Sequence, residues 1–340
     1  MPTVADVAAR AGVSSGTVSK ALNGRGQLRS ATRERVLAAA KELGFQPNAL
    51  ARGLLAGRTY TVGVLTTDSF GRFTIPMMLG IEDALGAGEI STLLCDSRDD
   101  GLREQHYVRT LLSRRVDGIV VTGRKPDPRP AIGDLPIPVV YVYAESESPD
   151  DLSIVCDDRQ GGELAVRHLL RTGRTRVAHV TGPHRHASAR LREEGARAAL
   201  TAAGMDFAAG GPLWGEWSEA WGRDATHILL RSQDTIDAVF CGSDQIGRGV
   251  ADALREAGRR VPEDVAIVGF DNWDVMALAS RPPLTTVDPN LAELGRLAGR
   301  KLLAAIEGGA HEHGRICMPC DLVIRQSTGA SAPGADQPGL

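Results

Sequence analysis

The chain has no uninterrupted apolar run near the ~18 to 20 residues that span a bilayer. Its start, Met1-Pro2-Thr3-Val4-Ala5-Asp6, has neither the basic n-region nor the apolar h-region of a signal peptide. A membrane protein is excluded and a cytoplasmic location is expected. The five cysteines, at 95, 156, 241, 317 and 320, are an odd and scattered set that makes no disulfide framework. Enzyme signatures are also missing. There is no Gly-x-Ser-x-Gly elbow and no phosphate loop, and Gly242, Gly247 and Gly249 do not have the dinucleotide spacing. Cys317-Met318-Pro319-Cys320 offers two thiols three apart, but the segment reads as a strand, where an odd offset sends them to opposite faces. His311-Glu312-His313 sits in a Gly-flanked loop without further ligands. No catalytic group, metal or cofactor is expected.

The composition, 340 residues with 42% apolar and 24% charged, is that of a soluble globular chain of about two domains. Its net charge of −3 conceals an asymmetry. Residues 1 to 60 carry nine Arg and Lys against three acids, whereas the remaining 280 carry 30 against 39. A surface that seeks a polyanion is therefore confined to the front of the chain, a solvated face being the alternative.

That front segment spells three short helices. Val4, Val7, Ala8 and Ala11 fall on one helical stripe, with Thr3 and Asp6 spaced as a capping box, which predicts a helix over 4–11. Gly12 supplies a turn with positive φ. Ser14 is placed as the N-cap of a second helix over 15–22, and Val13 and Val18 as its hydrophobic staple. A third helix starts at Ser30, buries Val36, Leu37, Ala40 and Leu43, and stops at Gly44. Two short helices joined by a Gly-containing turn make a helix-turn-helix. The competing reading is a three-helix bundle that only mediates contacts.

The string from Thr3 to Ser14, then Thr17-Val18-Ser19, Leu22-Asn23 and Thr32-Arg33-Glu34-Arg35-Val36, closely resembles the headpiece of the LacI/GalR family of transcriptional regulators. The resemblance implies that the second helix lies in the major groove of double-stranded DNA, with Ser15, Gly16 and Lys20 at base-reading positions. Thr17, Ser19, Asn23, Thr32 and Arg33 then match phosphate contacts, which set register without reading sequence. Gly16 offers no side chain to a base edge, which shifts discrimination onto Lys20 and Ser15. Phe45 stands where many relatives have a tyrosine. The segment from Gln46 to Arg58 reads as Pro at N1, one or two helical turns and a Gly exit, too short to hold a helix alone. It resembles the family's hinge helix, in which Leu54 matches a leucine that wedges between central base steps of the minor groove. A plain interdomain linker is the alternative.

From Thr61 short apolar runs, at 61–66, 91–96, 117–122, 138–143, 153–156, 176–181, 238–242, 265–270, 284–287 and 316–325, alternate with helical stretches. Such alternation predicts parallel sheets with covered faces, and about ten strands are too many for one sheet, so two doubly wound α/β subdomains are expected. Val62-Gly63-Val64-Leu65, Ala238 to Asp244, Gly269-Phe270-Asp271-Asn272 and Leu284 to Val287 resemble the family's periplasmic-binding-protein-like type I core, in which the chain crosses between subdomains three times. The resemblance implies a headpiece over 1–46, a hinge helix over 47–58, a core over 59–328 and a disordered tail over 329–340. Within the core it implies an N-subdomain of about 59–157 and 290–318 and a C-subdomain of about 158–288 and 320–328.

Ligands of open parallel sheets bind beyond the carboxyl ends of strands. Carried over from the family, Phe73, Thr74, His186, Ser188, Arg192, Trp217 and Asp271 match effector positions, and Asp157 and Asp244 line the cleft. An Arg donor, a carboxylate acceptor and aromatic faces fit a sugar. A nucleobase stacked on Phe73 and Trp217 is the alternative. For Trp217, followed by Trp221, simple core packing competes; for His186, a surface loop does. The expected protein is a homodimeric regulator, foremost a repressor, that binds a palindromic operator under the control of a small ligand. A cytoplasmic α/β enzyme or sugar-binding module is the rival.

Overall fold

The structure, a computed structural model, describes residues 2–22, 27–45, 58–86, 90–232, 235–309 and 312–329. The expected hinge helix with Leu54, and Asn23, lie outside the described residues except for Arg58, as does the tail from residue 330. The chain divides into two compact units, residues 1–61 with 115–117 and residues 62–114 with 118–340.

In the first unit α1 (Val4–Ala11), α2 (Ser15–Leu22) and α3 (Ser30–Glu42) pack around Val7, Ala8, Ala11, Val18, Ala21, Val36, Ala39 and Ala40. The capping box forms as expected. Asp6 accepts from the Thr3 N–H at 2.7 Å while Thr3 Oγ1 accepts from the Asp6 N–H at 3.3 Å. Those bonds from Thr3 hold the Asp6 carboxyl below its usual range. Gly12 adopts φ 64° and ends α1. In α3 the apolar stripe falls on Val36, Ala39 and Ala40, and Leu37, expected inside, is 47% exposed.

The second unit holds two six-stranded sheets. The first lobe carries β1 (Thr61–Thr66), α4 (Thr74–Ala84), β2 (Ser91–Asp96), α5 (Gly101–Ser113), β3 (Gly118–Val121), β4 (Val139–Val142) and β5 (Leu152–Cys156). The second carries α6 (Asp158–Arg171), β6 (Val177–Thr181), α7 (Ala187–Ala202), β7 (Leu213–Trp214), α8 (Glu219–Arg231), β8 (Ala238–Cys241), α9 (Asp244–Glu256), β9 (Ala266–Phe270), α10 (Asp274–Ala277) and β10 (Thr285–Asp288). The chain then returns to the first lobe through α11 (Leu291–Ile306) and β11 (Gly314–Met318), and ends in the second with β12 (Asp321–Val323). The sheet orders are β11-β5-β4-β3-β1-β2 and β12-β10-β9-β8-β6-β7. Three connections therefore link the lobes, at Asp157, at Pro289-Asn290 and at Pro319-Cys320.

Twelve strands form among the described residues, against about ten expected. The run 316–325 is two strands in different sheets, with Cys320 buried in the connection and Cys317 exposed on β11. Pro319 cannot donate to a ladder, and the strand ends there. β12 pairs antiparallel with β10, because the chain re-enters the second sheet from the first. β7, two residues long, carried no hydropathy signal.

Three helix pairs cross at bare backbone. A Cβ on Gly80 or Gly295 would collide with a carbonyl across the α4–α11 crossing. Gly162 and Gly195 stand the same way between α6 and α7, and Gly222 and Gly249 between α8 and α9. Among the described residues no helix is long and apolar enough to cross a membrane.

Candidate functional site

Two surfaces carry the chemistry, one in each unit. On α2 the Ser14 hydroxyl caps the first turn by accepting from the Thr17 N–H at 3.2 Å, and Val18 and Ala21 are drawn into the three-helix core. The opposite stripe is then fixed by helical geometry. Ser15, Gly16 and Lys20 are exposed, with Thr17 and Ser19 half-buried beside them. Thr32 and Arg33 lie half-buried in the first turn of α3. At Gly16 the nearest atom to an added Cβ would be Ser14 Oγ at 3.8 Å, so the position has room for a side chain it does not use.

In the second unit, the turns that follow β1, β8 and β9, together with α6 and α7, bring charged groups together. Asp271 leaves β9 at φ 105°, an unusual conformation for a side-chain-bearing residue, and its carboxylate is buried. Two guanidinium groups converge on it. Arg72, from the β1–α4 turn of the first lobe, donates to Asp271 Oδ2 and, at 2.8 Å, to Gln245 Oε1. Arg192, from α7 of the second lobe, places Nη1 3.6 Å from Asp271 Oδ1 and donates to Asp158 at 2.7 Å and to the Gly242 carbonyl at 2.6 Å. Arg72 thus ties one lobe to the other.

Aromatic rings enclose both cations. Arg72 lies 4.3 Å from the Trp273 ring centroid and 4.8 Å from that of Phe73, and Arg192 lies 3.5 Å from Phe270 and 5.8 Å from Trp217. Phe73 is stacked on Tyr143 at 5.0 Å. Burial works against the charge on Arg192, but Asp158 and then Asp271 more than offset it, and its pKa lies above the ordinary value. Burial raises the Asp271 carboxyl, against the pull of Arg72 and Arg192.

Asp244 has a different environment. It is fully buried at the start of α9, accepts from Thr286 Oγ1 at 2.6 Å and from the Trp273 N–H at 2.7 Å, and is pushed up to about 8, by burial first and then by Asp271. It positions the loop that carries Asp271 and Trp273. His186, at the N-cap of α7, is lowered by burial, which favours a neutral ring, and its Nδ1 accepts from Trp217 Nε1 at 2.7 Å.

The structure gathers Phe73, His186, Arg192, Trp217, Asp244 and Asp271 in this region, with Ser188 buried in the first turn of α7. Trp217 precedes α8 and joins the cluster through His186 and Arg192. Thr74 is turned inward, its hydroxyl 2.7 Å from that of Thr66. Asp157 caps α6 by accepting from the Gln160 N–H at 2.9 Å, and the carboxylate that reaches Arg192 is that of its neighbour Asp158. Arg72, Asp158, Gln245 and Trp273 were missed in the sequence. Their one local signal is adjacency, since each stands beside a residue already singled out.

Comparison with known proteins matches residues 3–48 to the family described as bacterial regulatory proteins, lacI family, and residues 166–328 to the periplasmic binding protein-like domain. The ribose operon repressor of Escherichia coli (strain K12) is 37% identical over 302 residues, 88% of this chain and 91% of that protein. A solved complex of the transcriptional regulator CelR with cellobiose superposes with a TM-score of 0.68 at 33% identity, over 96% of this chain and all of that one. The lac repressor dimer bound to operator and the anti-inducer ONPF gives 0.73 at 29% identity, over 97% of this chain and 99% of that one.

Proposed function

The chain belongs to the lacI family of bacterial regulatory proteins, and from that membership we propose that it is a dimeric transcriptional repressor whose hold on a palindromic operator is set by a sugar in the cleft. Ser15, Gly16 and Lys20 face base edges, Thr17, Ser19, Asn23, Thr32 and Arg33 face phosphates, and Leu54 enters the minor groove. Phe73, His186, Ser188, Arg192, Trp217 and Asp271 surround the effector, with Arg72 and Gln245 added by the geometry. Its work is binding, carried out in the cytoplasm where the chromosome is, without a catalytic step.

The observation that carries the effector reading is the placement of Asp271 between a guanidinium of each lobe. A ligand that competes for that carboxylate acts on both lobes at once, which is what coupling requires. Sugar is favoured over a purine because the Phe73 ring already has Tyr143 against it and the Arg72 guanidinium over it. Carboxylate, guanidinium and indole groups remain to meet hydroxyls and C–H faces.

A gel-shift screen of the full-length protein against genomic fragments, repeated with a sugar and nucleoside panel, tests this. Sequence-selective retention that steep salt weakens and one sugar changes is the expected result. Absence of any selective retention refutes the regulator, and a response to nucleosides alone refutes the sugar.

A further inference from the structure

We propose that Asp117 is a positioning residue for operator binding, and that its carboxylate sets the direction in which the chain runs from β1 back into the hinge segment. The inference rests on the repressor reading above and names the point at which the hinge is fastened. Several donors converge on this one group. The Thr59 N–H donates to Oδ1 at 2.8 Å and the Tyr60 N–H to Oδ2 at 2.7 Å. The Thr59 hydroxyl is shared between Oδ1, at 3.2 Å, and the Arg115 carbonyl, at 2.8 Å. The Asp117 N–H closes the ring by donating to the Thr61 carbonyl at 2.7 Å. Bonds to an ionised carboxylate are the strong ones, so the two residues that precede β1 are held firmly.

The second lobe carries the same device, which separates what the fold needs from what the hinge adds. Asp237 stands one residue before β8, as Asp117 stands one residue before β3. At the entrance to β6 it accepts from the Thr175 N–H and the Arg176 N–H, each at 2.9 Å, and from the Thr175 hydroxyl at 3.2 Å. Its own N–H donates to the Arg176 carbonyl at 3.1 Å. A carboxylate in this place joins the starts of two parallel strands, and both sheets use one.

The two clamps differ in reach. Val62 pairs with Gly118, and Val177 with Ala238. Counted back from Val177, Asp237 holds the first and second residues; counted back from Val62, Asp117 holds the second and third, one step further toward the hinge. A left-handed turn takes up the extra residue. Tyr60 has φ 53° and Arg115 φ 55°, whereas none of Arg174, Thr175 and Arg176 has a positive φ. Side-chain-bearing residues keep that conformation only where their surroundings impose it. What enters each clamp differs too. Arg174 is tied back into the second lobe, its N–H donating to the Leu169 carbonyl at 3.1 Å and its guanidinium to the Pro262 carbonyl at 2.6 Å. The clamp at Asp117 instead receives the segment 46–58, which connects to the headpiece.

Asp117→Asn set against Asp237→Asn tests the role. Each substitution keeps one acceptor oxygen, turns an amide N–H toward a backbone N–H, and removes one negative charge. By charge alone both variants would bind a polyanion more tightly, so a loss confined to Asp117→Asn reports geometry. Gel-shift titrations of the full-length proteins use the genomic fragment that the unaltered protein retains most strongly. Asp117→Asn is expected to weaken retention about tenfold or more, and Asp237→Asn to change it by no more than about twofold. Thr59→Val and Thr175→Val delete one hydroxyl from each clamp and repeat the comparison should an Asn variant fail to fold, with a loss of about threefold expected for the first alone. Equal losses from the two clamps, or no loss from the first, overturns the positioning role and leaves the repressor standing. No selective retention by the unaltered protein overturns both.

Discussion

Asp244→Asn separates a buried proton from the fold that holds it. The Asp244 carboxyl has its pKa raised from 3.8 to about 8, burial being the larger cause and the Asp271 carboxylate the second. A carboxyl whose pKa is raised on folding binds its proton more tightly in the folded state. Its contribution is complete below the ordinary carboxyl range, at about pH 4, and is lost as pH rises through about 8. Across that window one proton gives a slope of up to ~1.4 kcal/mol per pH unit, and even one unit moves the melting temperature of a core this size by ~2 to 4 °C. An asparagine reproduces the neutral acid: its oxygen accepts from the Trp273 N–H, and its amide donates to the Thr286 hydroxyl. Thermal melts of the full-length protein and the variant at pH 5, 6, 7 and 8 are expected to converge at the acid end and to separate toward pH 8, with the variant the more stable. Parallel profiles, or a wild type that gains on the variant as pH rises, would refute the reasoning.

Arg72→Ala removes the charge-assisted bonds to Asp271 and Gln245 and is expected to cost roughly 1.5 to 3 kcal/mol. Amide hydrogen exchange should quicken in 68–74 and 271–276 and stay unchanged in α8; unaltered exchange in both segments would show that the bridge does not hold the lobes. Gly195→Ala drives a methyl group into the Arg159 carbonyl, and overpacking of that kind costs roughly 1 to 3 kcal/mol. Because the displaced helix carries Arg192, sugar affinity measured by calorimetry should fall with stability. Gly16→Ala meets open space on α2 and should stabilise the headpiece by roughly 0.5 to 1 kcal/mol in a denaturant titration, and a loss instead would mean that a neighbour occupies the position.

Where a local rule decides structure, the sequence was readable to the residue. The capping box, Gly12 and Ser14 set the bounds of α1 and α2, because the Thr3, Asp6 and Ser14 side chains satisfy backbone groups three residues away and Gly12 takes the positive φ that ends α1. β1 and β2 were equally plain, as apolar runs between polar ends. Leu37 was misplaced because the buried face of α3 is narrow and two alanines, Ala39 and Ala40, fill it. Hydropathy also cannot say which of two sheets receives a strand, so the apolar run 316–325 ran through the break at Pro319, and only the family resemblance placed a crossing there.

The site was legible in part. Family positions led to Arg192, Asp271 and Trp217, but not to Arg72, whose partners Gln245 and Asp271 lie 173 and 199 residues away. Beyond its place next to Phe73, nothing near Arg72 in the chain signals an encounter made only by folding. The choice between Asp157 and Asp158 turns on a single step of a helix: the first is spent on the cap, and the next, about 100° further round, faces inward.

The bare glycine crossings have a mechanical consequence. Helices that touch carbonyl to carbon have no layer of side chains to re-pack, and small sliding of one helix past another depends on such a layer. Each lobe then behaves as a stiff plate. A disturbance at Asp271 cannot be absorbed within either plate and is delivered as rotation to the three joints between the lobes, at Asp157, Pro289 and Pro319, the compliant parts that remain.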